Sequence, residues 1–157
     1  MYPPPHQYNT TSYLRQFPVP GPVRASSVVL WLTAGVSFTV LAINMGTAPM
    51  YGVDLEYAFF YSSPHTLIGV LALIPAVPLV RGRPWARTMA KVVLISQMLM
   101  QAMNLTSPKS LLWSLLLLPL AIAGVILLER PVTKRFFAAH SQAANQEYLQ
   151  RHAAQQW

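Results

Sequence analysis

The chain has 157 residues, of which 54% are apolar and only 10% charged, where a soluble domain carries about a quarter. Formal net charge is +7 and there is no cysteine, which excludes disulfides, thiolate metal sites, iron–sulfur ligation and haem attached through cysteine. The basic residues flank apolar stretches, so the charge reads as membrane topology and contact with anionic headgroups, and not as nucleic-acid binding.

Residues 1–25 form a proline-rich tail. Pro3, Pro4, Pro5, Pro18, Pro20 and Pro22 remove backbone donors and favour extended polyproline II. Tyr2, Tyr8, Tyr13 and Phe17 are interleaved with them. Such a tail is either a solvated leader or a strap laid across a partner, with those four aromatics as its anchors. It holds no apolar run of the kind a cleaved signal peptide needs, so the first span is expected to act as its own insertion signal.

Four apolar segments follow, at about residues 26–47, 64–80, 88–105 and 110–128. Their spacing predicts an all-α, four-helix transmembrane domain over residues 26–128. The first segment carries Asn44 near one end and small residues four apart, Gly35 with Thr39 and Ala42 with Gly46. That spacing suits close helix approach. Residues 48–63 are expected to form a loop with an aromatic belt of Tyr51, Tyr57, Phe59, Phe60 and Tyr61 around Asp54 and Glu56. Ser62 and Ser63 before Pro64 predict the start of the second helix, serine capping and proline in the first turn. Pro75 and Pro78 predict a kink near its other end.

The next link contains Arg81, Arg83 and Arg87, with Lys91 one turn further on. These four are placed at anionic lipid headgroups, with Trp85 at the same depth. The third segment carries Gln97, Gln101 and Asn104 on one helical face. An unpaired amide in lipid is costly, so this face points at protein or water. Its roles are interhelical hydrogen bonding, with Asn44 as the expected partner of Asn104, or a polar path that meets a small molecule or headgroup. The fourth segment is leucine-rich, and residues 129–157 predict a polar helix that lies on a surface or binds a partner.

The link after the first segment holds Asp54 and Glu56 and no basic residue, and the third link holds only Lys109. Ten of the eleven Lys and Arg therefore share one side. Basic residues stay in the cytoplasm, so the expected topology is a multi-pass plasma-membrane protein with both termini cytoplasmic.

Catalytic signatures are sparse. His65 lies within reach of Asp54 and Glu56, which suits either a metal or proton-relay site or a hydrogen-bonded interfacial histidine. No span holds an Asp, Glu, Lys, Arg or His at mid-depth, as proton-coupled transport usually needs. No cofactor is expected beyond a bound phospholipid. The opening MYPPP and the segment RGRPWART resemble small actinobacterial tetraspan membrane proteins with a proline-rich tail. That resemblance implies an accessory, non-catalytic subunit working among other integral membrane subunits, as in respiratory-chain supercomplexes. The alternative is a membrane protein that binds or transports a lipid or small molecule.

Overall fold

The computed structural model describes residues 18–105 and 111–154, and these are all-helical. Five α-helices run in order: α1 Gly21–Thr47, α2 Leu55–Val80, α3 Pro84–Asn104, α4 Leu111–Glu129 and α5 Pro131–Ala154. A 3-10 turn, Ala48–Tyr51, links α1 to α2. The tail anchors Tyr2, Tyr8, Tyr13 and Phe17, together with Lys109, lie outside the described residues.

Three helices, α1, α2 and α4, are long and apolar enough to cross a membrane. At 1.5 Å per residue, the 27 residues of α1 reach about 40 Å, against a hydrocarbon layer of about 30 Å. Contacts form a ring: α1 packs on α2 and α4, and α3 packs on the same two. Neighbours run antiparallel. Along α1 and α2, Ser27 meets Ala76 and Asn44 meets Ser62. Along α3 and α4, Arg87 meets Leu128 and Gln101 meets Ser114. One end of the ring therefore gathers Arg81, Arg83, Arg87 and Lys91; the other gathers the tyrosines and phenylalanines of residues 51–61.

The second helix begins at Leu55, so most of the expected loop 48–63 is helical and Pro64 lies inside a continuous helix. Proline at that position strips the Phe60 carbonyl of its usual backbone donor. The Ser63 hydroxyl donates to the Phe60 oxygen at 2.7 Å instead. The serine read as part of a helix start is thus the group that lets the helix pass through its proline.

The closest helix approach also differs from expectation. Gly35 and Gly46 face open space. Gly69 of α2 instead sits on α1, where a Cβ would come within 2.8 Å of Ser37 Cβ. Ala72 and Ala76 continue that small face and are fully buried, as is Ala34 opposite them to within 2%.

The last helix docks on the basic end. Phe136 and Phe137 are buried with ring centroids 5.3 Å apart, edge to face. The Thr133 hydroxyl donates to the Leu127 carbonyl at 2.8 Å, tying the start of α5 to the end of α4. His140 lies against Gly82, which takes φ 73° in the turn between α2 and α3.

Gly82 and Gly52 both adopt positive φ, but only Gly82 has a neighbour where a Cβ would stand. Gly52→Ala should therefore cost only the backbone strain, about 1 kcal/mol. Gly82→Ala should add displacement of His140 and loosen α5. Limited proteolysis should show faster cleavage within residues 131–154 for the Gly82 variant alone; equal cleavage in both would remove the His140–Gly82 contact as a determinant of docking.

Candidate functional site

Polar and aromatic side chains concentrate in three places along the ring. The first is a partly open cavity of about 300 Å³ at the aromatic end. Val40, Asn44 and Thr47 reach it from successive turns of α1, and Tyr57, Tyr61 and His65 from successive turns of α2. Tyr51 and Val53 close it from the link, and Trp113 from the first turn of α4. Helical spacing of three and four residues places each set on one face.

Asn44 is half-buried here, and its Nδ2 donates to Ser62 Oγ at 2.8 Å. The described partner of Asn44 is thus Ser62 of α2, while Asn104, expected opposite it, is half-buried on α3. The asparagines share a depth, but the ring sets α1 beside α2 and not beside α3. His65 is half-buried and its Nδ1 has no hydrogen-bond partner among the described residues. Asp54 is the residue before α2 and Glu56 is in its first turn; both are exposed. Among the described residues no three His, Cys, Asp or Glu side chains are grouped to hold a metal ion.

The second place is the interior. Gln97 and Gln101 are completely buried, together with Thr33, Ser37 and Ser114. Ser114 Oγ donates to Gln101 Oε1 at 3.0 Å. Both amide atoms of Gln97, the Nε2 of Gln101 and the hydroxyls of Thr33 and Ser37 have no partner among the described residues. Elsewhere the hydroxyls return to the backbone one turn earlier: Ser26 to Pro22, Thr39 to Gly35 and Thr47 to Ile43, each at 2.8 Å. Thr33 and Ser37 do not, so their oxygens remain available. Gly124 brings Val29 of α1 and Leu94 of α3 together. Thr33 and Gln97 are one turn beyond those two residues, which sets them at one level.

The third place is the basic end. Glu129 closes α4 and faces three cations. Lys134 Nζ lies 2.8 Å from Oε2, Arg87 Nη2 lies 3.8 Å from Oε1, and Lys91 pairs with the same Oε1. Arg87 Nε also donates to the Leu128 carbonyl at 3.2 Å, filling an orphan acceptor at the helix end. Its guanidinium carbon is 6.0 Å from the Phe137 ring centre, within cation–π range. Of the four basic residues assigned to headgroups, Arg87 and Lys91 are thus engaged within the protein. Arg81 and Arg83 are exposed and make no ion pair among the described residues.

Of the residues singled out in the sequence, His65 and Asn44 line the cavity, and Gln97 and Gln101 are buried in the interior. Sequence reasoning missed that Tyr51, Tyr57, Tyr61 and Trp113 wall one cavity, because Trp113 comes from a different helix. The recurrence of Tyr57, Tyr61 and His65 at every fourth residue was the available signal. No family model, curated protein or solved structure matches this chain.

The two glutamines should respond differently to an apolar replacement. A buried amide without partners costs about 1–3 kcal/mol, so Gln97→Leu should stabilise the protein by about 1 kcal/mol. Gln101→Leu removes a bond to Ser114, worth ~0.6 kcal/mol in membrane helices, and should be neutral or slightly destabilising. Reversible unfolding in mixed micelles measures both. A clear loss of stability in Gln97→Leu would mean that a polar occupant satisfies this amide.

Proposed function

We propose that the chain is a four-span protein of the plasma membrane, a four-helix bundle with both ends cytoplasmic, that serves as a non-catalytic subunit of a larger membrane assembly. The fourth span is α3, whose glutamines lower its mean hydropathy. Support comes from its inside-out build. Gln97 and Gln101 are buried, while Val92, Ile95, Leu99 and Met103 are 47–78% exposed along the opposite face. Water-soluble helices show the reverse pattern, and membrane helices keep polar side chains inside. The ring of contacts in which α3 takes part supports the same reading.

The observation that carries the subunit role is the shape of α5. Its first half is pinned by Phe136, Phe137 and the Glu129 cluster. Its second half continues past them with Tyr148 62% and Leu149 66% exposed. An ordered arm carrying apolar side chains away from its own core suits attachment to another polypeptide. The resemblance of the tail and central link to small actinobacterial tetraspan proteins makes a respiratory assembly the first to examine. Purification from native membranes in mild detergent should recover larger subunits in fixed ratio, and Tyr148→Ala with Leu149→Ala should lower that ratio. Recovery of a lone small particle in every detergent would end the subunit reading.

A second reading, binding or transport of a lipid or small molecule along the polar face of α3, is favoured by the unpaired atoms of Gln97 and Gln101. Both readings share one topology. In a chain without native cysteine, a membrane-impermeant thiol reagent applied from outside should label a cysteine placed at Asp54 and spare one placed at Arg83. The opposite pattern would reverse the orientation.

A further inference from the structure

The inward faces of α1 and α2 outrun the two helices that cover them lower down. Gly124 of α4 lies against Val29 of α1 and Leu94 of α3. Counted along the helices from that level, α3 ends at Asn104, level with Thr39, and α4 begins at Leu111, level with Ala42. The first helix continues to Thr47, about 12 Å past the end of α3. Gly69 meets Ser37, which sets His65, one turn higher on α2, near Val40. The cavity follows from this mismatch. Val40, His65 and Trp113 form its floor, and Asn44 with Tyr61, then Thr47 with Tyr57, rise above them on α1 and α2. Among the described lining residues α4 supplies only Trp113, and α3 supplies none.

The mismatch also sets a depth, given the four-span reading on which this inference rests. From the Arg87–Glu129 pair, α3 and α4 cover about 26–28 Å, close to a hydrocarbon thickness of about 30 Å. The floor of the cavity therefore stands at the edge of the hydrocarbon, and its walls stand among the headgroups. We propose that the cavity binds an uncharged amphipathic ring compound, one or two fused rings that carry a hydroxyl or carbonyl oxygen.

Headgroup depth is where tyrosine and tryptophan side chains collect, because each has an apolar body and a polar edge. A free molecule of the same build collects there for the same reason. The cavity offers it ring faces from Tyr57, Tyr61 and Trp113, against which another ring stacks. It offers the oxygen neutral partners. Asn44 gives one N–H to Ser62 and retains a second N–H and a carbonyl oxygen, and the tyrosine hydroxyls both donate and accept. No Lys, Arg, Asp or Glu is among the described lining residues, so an ion would leave water without a described counter-charge. Charge outside the lining selects neither sign: Asp54 and Glu56 flank the cavity at the start of α2, and Lys109 belongs to the link at the same end, outside the described residues. The volume of about 300 Å³ sits at the small end of ligand pockets, which limits the occupant to one or two fused rings. A free phenol-type compound and the ring head of a membrane-borne lipid share this chemistry.

The test uses the full-length chain in phosphatidylcholine nanodiscs, titrated calorimetrically with 2-naphthol, with empty nanodiscs as the blank for partitioning. Saturable binding is expected. Decahydro-2-naphthol keeps the hydroxyl and loses the ring faces, and should bind on the order of tenfold more weakly. The anion 2-naphthoate and the cation 2-naphthylmethylammonium should both bind more weakly than 2-naphthol. Tyr57→Leu with Tyr61→Leu should lower the affinity on the order of tenfold, and Trp85→Leu, at the basic end, should leave it unchanged. Circular dichroism reports whether each variant folds, and Trp113→Leu replaces the tyrosine pair if that pair does not.

A hexyl chain on 2-naphthol separates the two sources. An affinity that rises after correction for the extra partitioning assigns the site to a membrane-borne lipid, and an unchanged one assigns it to a free ring compound. No saturable binding above the blank, decahydro-2-naphthol or either ion binding as tightly as 2-naphthol, or folded cavity variants with unaltered affinity would overturn the proposal. Thiol labelling and co-purification decide the topology and the subunit role independently, so a failure of ring binding leaves those readings standing.

Discussion

Two glutamine side chains buried inside the ring of helices set how α3 is turned, and much of the molecule follows from that rotation. With Gln97 and Gln101 inside, the same helical face carries Ala86, Ala90, Val93 and Leu94, all at most 3% exposed. Leu94 then meets the gap left by Gly124 on α4. Arg87 and Lys91, each the residue after an alanine of this face, come to the end of α4 and to Glu129. That contact brings in Lys134 and hence the first turn of α5. An amide near the middle of one helix is in this way linked, through helical periodicity alone, to the docking of another helix on the basic end.

The polar face of α3 was legible because its amides interrupt an apolar segment at helical spacing. The rotation of α1 was not. That helix is apolar around most of its circumference, so the small residues Gly35, Ala42 and Gly46 offered the only visible seam, and they face outward. The seam in use runs through Ser27, Ala34 and Ser37, and its partner Gly69 lies in another helix. Close approach belongs to a pair of surfaces, and one strand of sequence displays only half of each. The start of α2 failed for a related reason. Serine before proline is a sound local signal for a helix start, but a serine hydroxyl can equally fill the carbonyl that proline orphans. Ser63 takes the second role because the aromatic residues before it have their own place in the helix.

Charge shows the same contrast between type and use. Basic residues at the link of α2 and α3 suit headgroup contact, yet two of the four are engaged within the protein. Arg87 serves a carboxylate, a helix-end carbonyl and an aromatic ring at once, a use that the planar guanidinium allows and a lysine would not. Arg81 and Arg83 flank Gly82 on the turn, remain exposed and make no ion pair among the described residues. Four similar cations are thus divided by position, two bracing the protein and two left for its surroundings.

The bracing is uneven along the helices. At the basic end, an ion cluster, two buried phenylalanines and two helix-end hydrogen bonds act on the same few residues. At the aromatic end, the Asn44–Ser62 hydrogen bond joins α1 to α2, and Ser114–Gln101 joins α4 to α3. Tyr57 and Tyr61 remain 66% and 56% exposed there, and the cavity occupies space that packing would otherwise fill. Regions with few buried contacts open at lower free energy than the rest of a fold. The cavity lies in that less tightly packed end, and the braced opposite end keeps the helices in register around it.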